Sequence, residues 1–107
     1  MPKYDGIGMR VYYDAHGDFT ALTRYDKNYG LDISFKIYPG MIPALKSCAV
    51  RGEIMTLKDH EDYKDRRSYA SSQVSGMGPF DRDIVFIPYE YQEYLDDGTY
   101  IAPDYLT

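Results

Sequence analysis

Short stretches of alternating apolar and polar residues, each cut off by a cluster of Asp, Asn, Gly or Pro, constrain this chain most. Ile7 to Tyr13 sets Ile7, Met9, Val11 and Tyr13 on one face of a strand. Asp14-Ala-His-Gly-Asp18 reads as a turn, with Gly17 free to take a positive φ angle. Phe19 to Tyr25 forms a second strand, with Phe19, Ala21, Thr23 and Tyr25 opposite Thr20, Leu22 and Arg24. Asp26-Lys-Asn-Tyr-Gly30 is the next turn, with Asn28 and Gly30 as its left-handed positions. Leu31 to Tyr38 has the clearest alternation, placing Leu31, Ile33, Phe35 and Ile37 against Asp32, Ser34 and Lys36. These three strands predict an antiparallel meander.

Beyond Pro39-Gly40 the pattern is less regular. Pro43 to Val50 reads either as a short helix opened by Pro43 or as extended chain. Gly52 to Leu57 resembles a strand. Lys58 to Arg67 carries eight formal charges in ten residues and reads as a solvated loop or hairpin tip. Ser68 to Ser75 reads as a strand of small residues, and Gly76-Met-Gly-Pro79 as a loop. Ile84 to Ile87 is a short apolar run, the mark of a buried strand, and Pro88 is expected to end it. Tyr89 to Leu95 fits a strand or a helix. Asp96-Asp-Gly98 is a hairpin-type turn from which Tyr100-Ile101 pairs back. Pro103 confines the tail to an edge or coil.

This punctuation predicts a mainly β fold. A small antiparallel barrel or sandwich of about six or seven strands, with at most one or two short helices, fits best; an α+β arrangement is the runner-up. The 107 residues read as one domain spanning 1–107. A chain of this size buries about 65% of the surface it would expose unfolded. A hydrophobic fraction of 44% is enough to build a core rather than a disordered chain. The acids point the same way: 13 of 17 are Asp, which favours turns and caps over helix interiors.

Composition also bounds function. The net charge of −5 and the absence of a basic cluster argue against direct nucleic-acid and membrane binding. No apolar run approaches the length of a membrane span, and Met1-Pro-Lys-Tyr-Asp-Gly6 lacks the apolar stretch of a signal peptide. Cys48 is the only cysteine, which excludes an intrachain disulfide and points to a reducing compartment, the cytoplasm, or the host's cytoplasm for a viral protein.

The candidate chemical groups are isolated or mismatched to their motifs. Asp14, His16 and Asp18 alternate, so a tight turn can aim them at one cation, but turns use the same residue types without metal. Asp26 to Asp32 imitates a calcium loop yet places its glycine at the fifth position and Ile37 at the twelfth, where a glutamate is needed. Asp59, Glu61, Asp62 and Asp65 lie among lysines and arginines that neutralise them. Asp81 and Asp83 alternate just before a buried strand. Cys48 with His16 or His60 would supply a nucleophile and base, but nothing around Cys48 offers an oxyanion site. No glycine pair continues into a phosphate-binding motif.

Tyrosine is the distinctive residue, 13 in all with no tryptophan. In the C-terminal third, Tyr89, Tyr91, Tyr94, Tyr100 and Tyr105 alternate with Glu90, Glu93, Asp96, Asp97 and Asp104. Rings supply packing and carboxylates steer a basic partner. The sequence therefore predicts a non-catalytic protein-binding module that meets its partner through Tyr89, Glu90, Tyr91, Glu93, Tyr94, Asp96, Asp97 and Tyr100. One form is a small virus- or mobile-element-encoded inhibitor covering the basic, nucleic-acid-binding surface of another protein. The first alternative is a structural subunit of a viral particle or other oligomeric ring, built by self-association. The second is a small enzyme or a metal- or ligand-binding protein using His16, His60, Cys48 or the Asp clusters. No catalytic residue, metal or cofactor is expected.

Overall fold

The computed structural model describes residues 6–25, 28–94 and 100–101. The strands are β1 (Ile7–Tyr13), β2 (Phe19–Tyr25), β3 (Asn28–Asp32), β4 (Cys48–Thr56), β5 (Ile84–Tyr94) and β6 (Tyr100–Ile101). One helix, α1 (Arg66–Ser75), and a 3-10 turn at Ser34–Lys36 complete the described elements. The strands form a single antiparallel sheet in the order β3-β2-β1-β4-β5-β6. The fold is thus mainly β with one short helix. The sheet is open, and neither a closed barrel nor a second packed sheet forms among the described residues.

β1 and β2 follow the alternation: Met9, Val11, Tyr13 and Ala21 are buried on one face. Gly17 turns the hairpin with φ 91°. The meander then departs from expectation. Asn28 and Gly30 lie within β3, and Gly17 and Gly40 are the described glycines with positive φ. β3 stops at Asp32, where alternation predicts a strand to Tyr38. Asp32 Oδ1 accepts from the Ser34 N–H at 2.9 Å and from the Ser34 hydroxyl at 2.6 Å, and Ser34 Oγ accepts from the Ala21 N–H at 2.8 Å. These local bonds compete with the ladder and wind the chain into a 3-10 turn. The periodicity shifts with them: Lys36, expected at the surface, is 1% exposed, and Phe35, expected inside, is 66% exposed.

Residues 66–75 are helical where small residues suggested a strand. Asp65 accepts from the Ser68 N–H at 2.7 Å as the N-cap, and Gly76 follows the last turn. Tyr69 and Ala70 are the buried residues of α1. Residues 43–47 are neither helix nor strand; β4 begins at Cys48.

Pro88 does not end β5. Gly52 pairs with Pro88 and Arg51 with Glu90, so Tyr89 is an extra residue in the strand, a β-bulge. A bulge is where a sheet tolerates a proline. Gly52 makes it possible: a Cβ there would stand 2.2 Å from the Ile87 carbonyl oxygen. The reading of 89–95 as strand therefore holds through Tyr94.

The core lies on one face of the sheet, where Met9, Val11, Ile54, Ile84 and Phe86 meet Ile33, Met41, Phe80 and Tyr69. On the strands, Arg10, Tyr12, Arg51 and Glu53 alternate with these buried positions and occupy the other face.

Candidate functional site

After the 3-10 turn, the chain from Ile37 to Ser47 packs against the core without regular structure. It is rich in proline and apolar side chains, and it builds two shallow hollows that share one wall, Pro43. The first, of about 440 Å³, is lined by Pro43, Leu45, Val50, Pro88, Tyr89 and Tyr91, with Glu90 at its margin. The second, of about 310 Å³, is lined by Tyr13, Phe19, Tyr38, Pro39, Ile42 and Pro43 among others.

The walls are fixed by hydrogen bonds. The Tyr13 hydroxyl donates to the Pro43 carbonyl at 2.7 Å, holding the shared wall. The Tyr38 hydroxyl donates to the Ile84 carbonyl at 2.5 Å. Ser47 N–H donates to the Asp14 carbonyl at 2.9 Å, tying the loop to the β1–β2 turn. Burial, with a smaller contribution from Cys48, pushes the Tyr13 phenol up to about 12, so it remains a donor across the neutral range. Three rings stand at the rim: Tyr89 is 48%, Tyr91 44% and Phe19 36% exposed.

Of the eight residues expected to bind a partner, the structure gathers Tyr89, Glu90 and Tyr91 at the first hollow. Glu90 does not stand free as a steering charge. It forms an ion pair with Arg51, its side chain is 12% exposed, and the Arg51 guanidinium also lies 5.5 Å from the Tyr89 ring centre. The bulge brings both residues to Arg51, where simple alternation sets them on opposite faces. Glu93 and Tyr94 lie in the last paired stretch of β5, with Glu93 opposite Ile101 and Tyr94 opposite Tyr100. Asp96 and Asp97 lie outside the described residues. Sequence reasoning missed the other walls, Tyr13, Phe19, Tyr38, Pro43 and Leu45. The available signal was the coexistence of prolines and apolar side chains between residues 37 and 45.

The other candidate groups sit in separate settings. Asp14 Oδ1 accepts from the N–H groups of His16 and Asp18 at 2.8 and 3.0 Å, closing the turn. Cys48 is fully buried beside Tyr13. His60 stacks on Tyr69 with ring centres 3.5 Å apart, and its Nε2 lies 3.3 Å from Thr56 Oγ1. Cys48 and Thr56 mark opposite ends of β4. Tyr63 meets Tyr69 edge-on at 5.2 Å. The charged 58–67 stretch is therefore pinned to α1 by rings as well as solvated, and its last two residues are helical. Asp83 pairs with Lys58 at 3.1 Å, and Asp81 accepts from the Asp83 N–H at 3.0 Å. Among the described residues, no three His, Cys, Asp or Glu side chains converge on a common point. No helix among them is long and apolar enough to cross a membrane.

Comparison with family models, with curated proteins and with solved structures gives no match.

Proposed function

We propose that this protein is a non-catalytic protein-binding module whose docking site is the double hollow around Pro43. The observation that carries the reading is the pair of mostly apolar hollows that share Pro43, walled in part by prolines and lined by the exposed rings of Tyr89, Tyr91 and Phe19. Interfaces draw most of their energy from a few aromatic anchors in such settings. The net charge of −5 favours a basic partner. An inhibitor that covers a nucleic-acid-binding surface remains one form of this reading, with its emphasis moved from carboxylates to rings. The test is capture of partners from the native host with wild-type and Tyr91→Ala baits. A protein retained by wild type and lost by the variant supports the reading; equal retention contradicts it.

A second reading, a self-associating structural subunit, is favoured by Phe35 and Met77. These side chains are 66% and 96% exposed. Lys36 links them, lying 5.2 Å from the Phe35 ring centre while its ammonium donates to the carbonyls of Gly76 and Gly78. Light scattering decides this reading: an oligomer dispersed by Met77→Ser supports it, and a strict monomer contradicts it.

A further inference from the structure

We infer that Met77 is a reversible oxidation site, at which a peroxide converts the exposed apolar patch beside Phe35 into a polar one. The effect on assembly rests on the self-association reading above; the site itself does not.

The four described methionines divide sharply. Met9, Met41 and Met55 are 0%, 7% and 8% exposed, whereas Met77 is 96% exposed. The loop that carries Met77 imposes this exposure. Gly76 N–H donates to the Ser72 carbonyl at 2.9 Å at the end of α1. Phe80 N–H donates to the Lys36 carbonyl at 2.9 Å, and Asp81 N–H to Gln73 Oε1 at 3.2 Å. Between these ties the Lys36 ammonium donates to the carbonyls of Gly76 and Gly78, one on each side of Met77. Lys36 is buried, so the clamp lies beneath the loop and the side chain of residue 77 is left in water. Neither flanking glycine has a side chain to shield the sulfur, and a Cβ at Gly78 would meet nothing within 4 Å.

The thioether makes this position different from an exposed leucine. The sulfur lone pair attacks one oxygen of a peroxide as the O–O bond breaks. With hydrogen peroxide, the sulfur gives up two electrons and gains that oxygen, and the other oxygen leaves as water. A dithiol reverses the step through a sulfoxide reductase, becoming a disulfide as the sulfoxide oxygen leaves as water. The oxidised side chain is polar and accepts hydrogen bonds, where the reduced one is flexible and apolar. The Phe35 ring centre lies 5.2 Å from the Lys36 ammonium, on the same clamp that carries Met77. A change of polarity at residue 77 therefore acts on this patch and spares the core, which holds Met9 and Met41.

The test treats the full chain with hydrogen peroxide and follows each methionine by peptide mass mapping. Sulfoxide at Met77 is expected to form at least about tenfold faster than at Met9, Met41 or Met55. Buried Cys48 is expected to stay reduced, and the thermal midpoint to shift by less than about 3 °C. Comparable rates at the buried methionines overturn the site. Treatment with both methionine sulfoxide reductases and dithiothreitol is expected to restore Met77, and a persistent sulfoxide overturns the reversibility. Light scattering then reads assembly. Oxidation is expected to disperse the wild-type oligomer, and Met77→Gln to mimic oxidation. Met77→Leu, apolar and without sulfur, is expected to assemble with or without peroxide. An oligomer that survives full oxidation while Met77→Ser disperses it overturns the switch and leaves the subunit reading standing. A strict monomer before treatment overturns the subunit reading and the switch with it, and the oxidation site is then decided by the mapping.

Discussion

Lys36 and Tyr13 each bury a polar group that a protein interior normally excludes, and each is kept by named partners. The Lys36 ammonium is held by two carbonyls of the 76–78 loop and by the rings of Phe35 and Phe80. Lys36→Ala removes the stem and orphans both carbonyls, so a loss of about 3 kcal/mol in urea unfolding is expected. Lys36→Met refills the volume and is expected to cost less. A change under about 0.5 kcal/mol for the alanine variant contradicts the brace. The same residues set the alkaline limb of stability. Burial lowers the Lys36 pKa from 10.5, so between the two values the unfolded chain holds more protons and this group adds stability as pH rises. Tyr13 works the other way. Its folded pKa of about 12 against an ordinary 10.0 means that the folded chain keeps the proton longer, so stability falls as pH climbs from 10 to 12. Tyr69, raised chiefly by burial and then by Asp81 and Asp83, adds to the fall. From the Tyr13 shift, the loss across that window is about 2–3 kcal/mol. Urea titrations from pH 8 to 12 check this: Tyr13→Phe flattens the limb, and an unchanged slope contradicts the assignment.

At the scale of elements, β4 and β5 set the position of the site. Gly52 allows the Ile87 carbonyl to pass where a side chain would sit, and the bulge at Tyr89 aims the rim. Gly52→Ala is expected to cost about 2 kcal/mol or more, because the clash is with backbone. A wild-type urea midpoint for this variant contradicts the account of the bulge. Legibility in the sequence followed the range of the forces. β1 and β2 were readable because burial on one face imposes a period of two, and the start of β5 because Ile84 to Ile87 is a short continuous apolar run. The stretch from Leu31 to Tyr38 misled because a single Asp32–Ser34 bond pattern overrides seven alternating residues. Helix α1 was hidden in serines, although Asp65 and Gly76, its N-cap and the glycine after its last turn, flanked it in plain view. Tyr89 and Tyr91 stood out in the sequence as candidate binding residues, and the structure sets both at the first hollow. Their opposing walls did not stand out, because Tyr13, Phe19 and Pro43 reach the same pair of hollows only through long-range pairing and the Tyr13 hydroxyl bond.

For the whole molecule, α1 and irregular chain pack on one face of the described sheet, and the hollows form where the chain from Ile37 to Leu45 meets β1, β2, β4 and β5. On the docking proposal, net charge and the rings have different tasks. The net charge of −5 would steer a basic partner, so raising salt from 50 to 500 mM is expected to slow association more than it speeds dissociation, as read by surface-immobilised kinetics. Truncating a rim ring is expected to act mainly on dissociation. The central claim is that the double hollow is where a partner sits. Its most direct test places a photo-crosslinking phenylalanine at Tyr91, and in a second variant at Tyr63 as an exposed ring remote in sequence from the hollows, in the native host. The account predicts a discrete covalent adduct from position 91 and none from position 63. Adducts of equal yield from both positions, or from 63 alone, would contradict it.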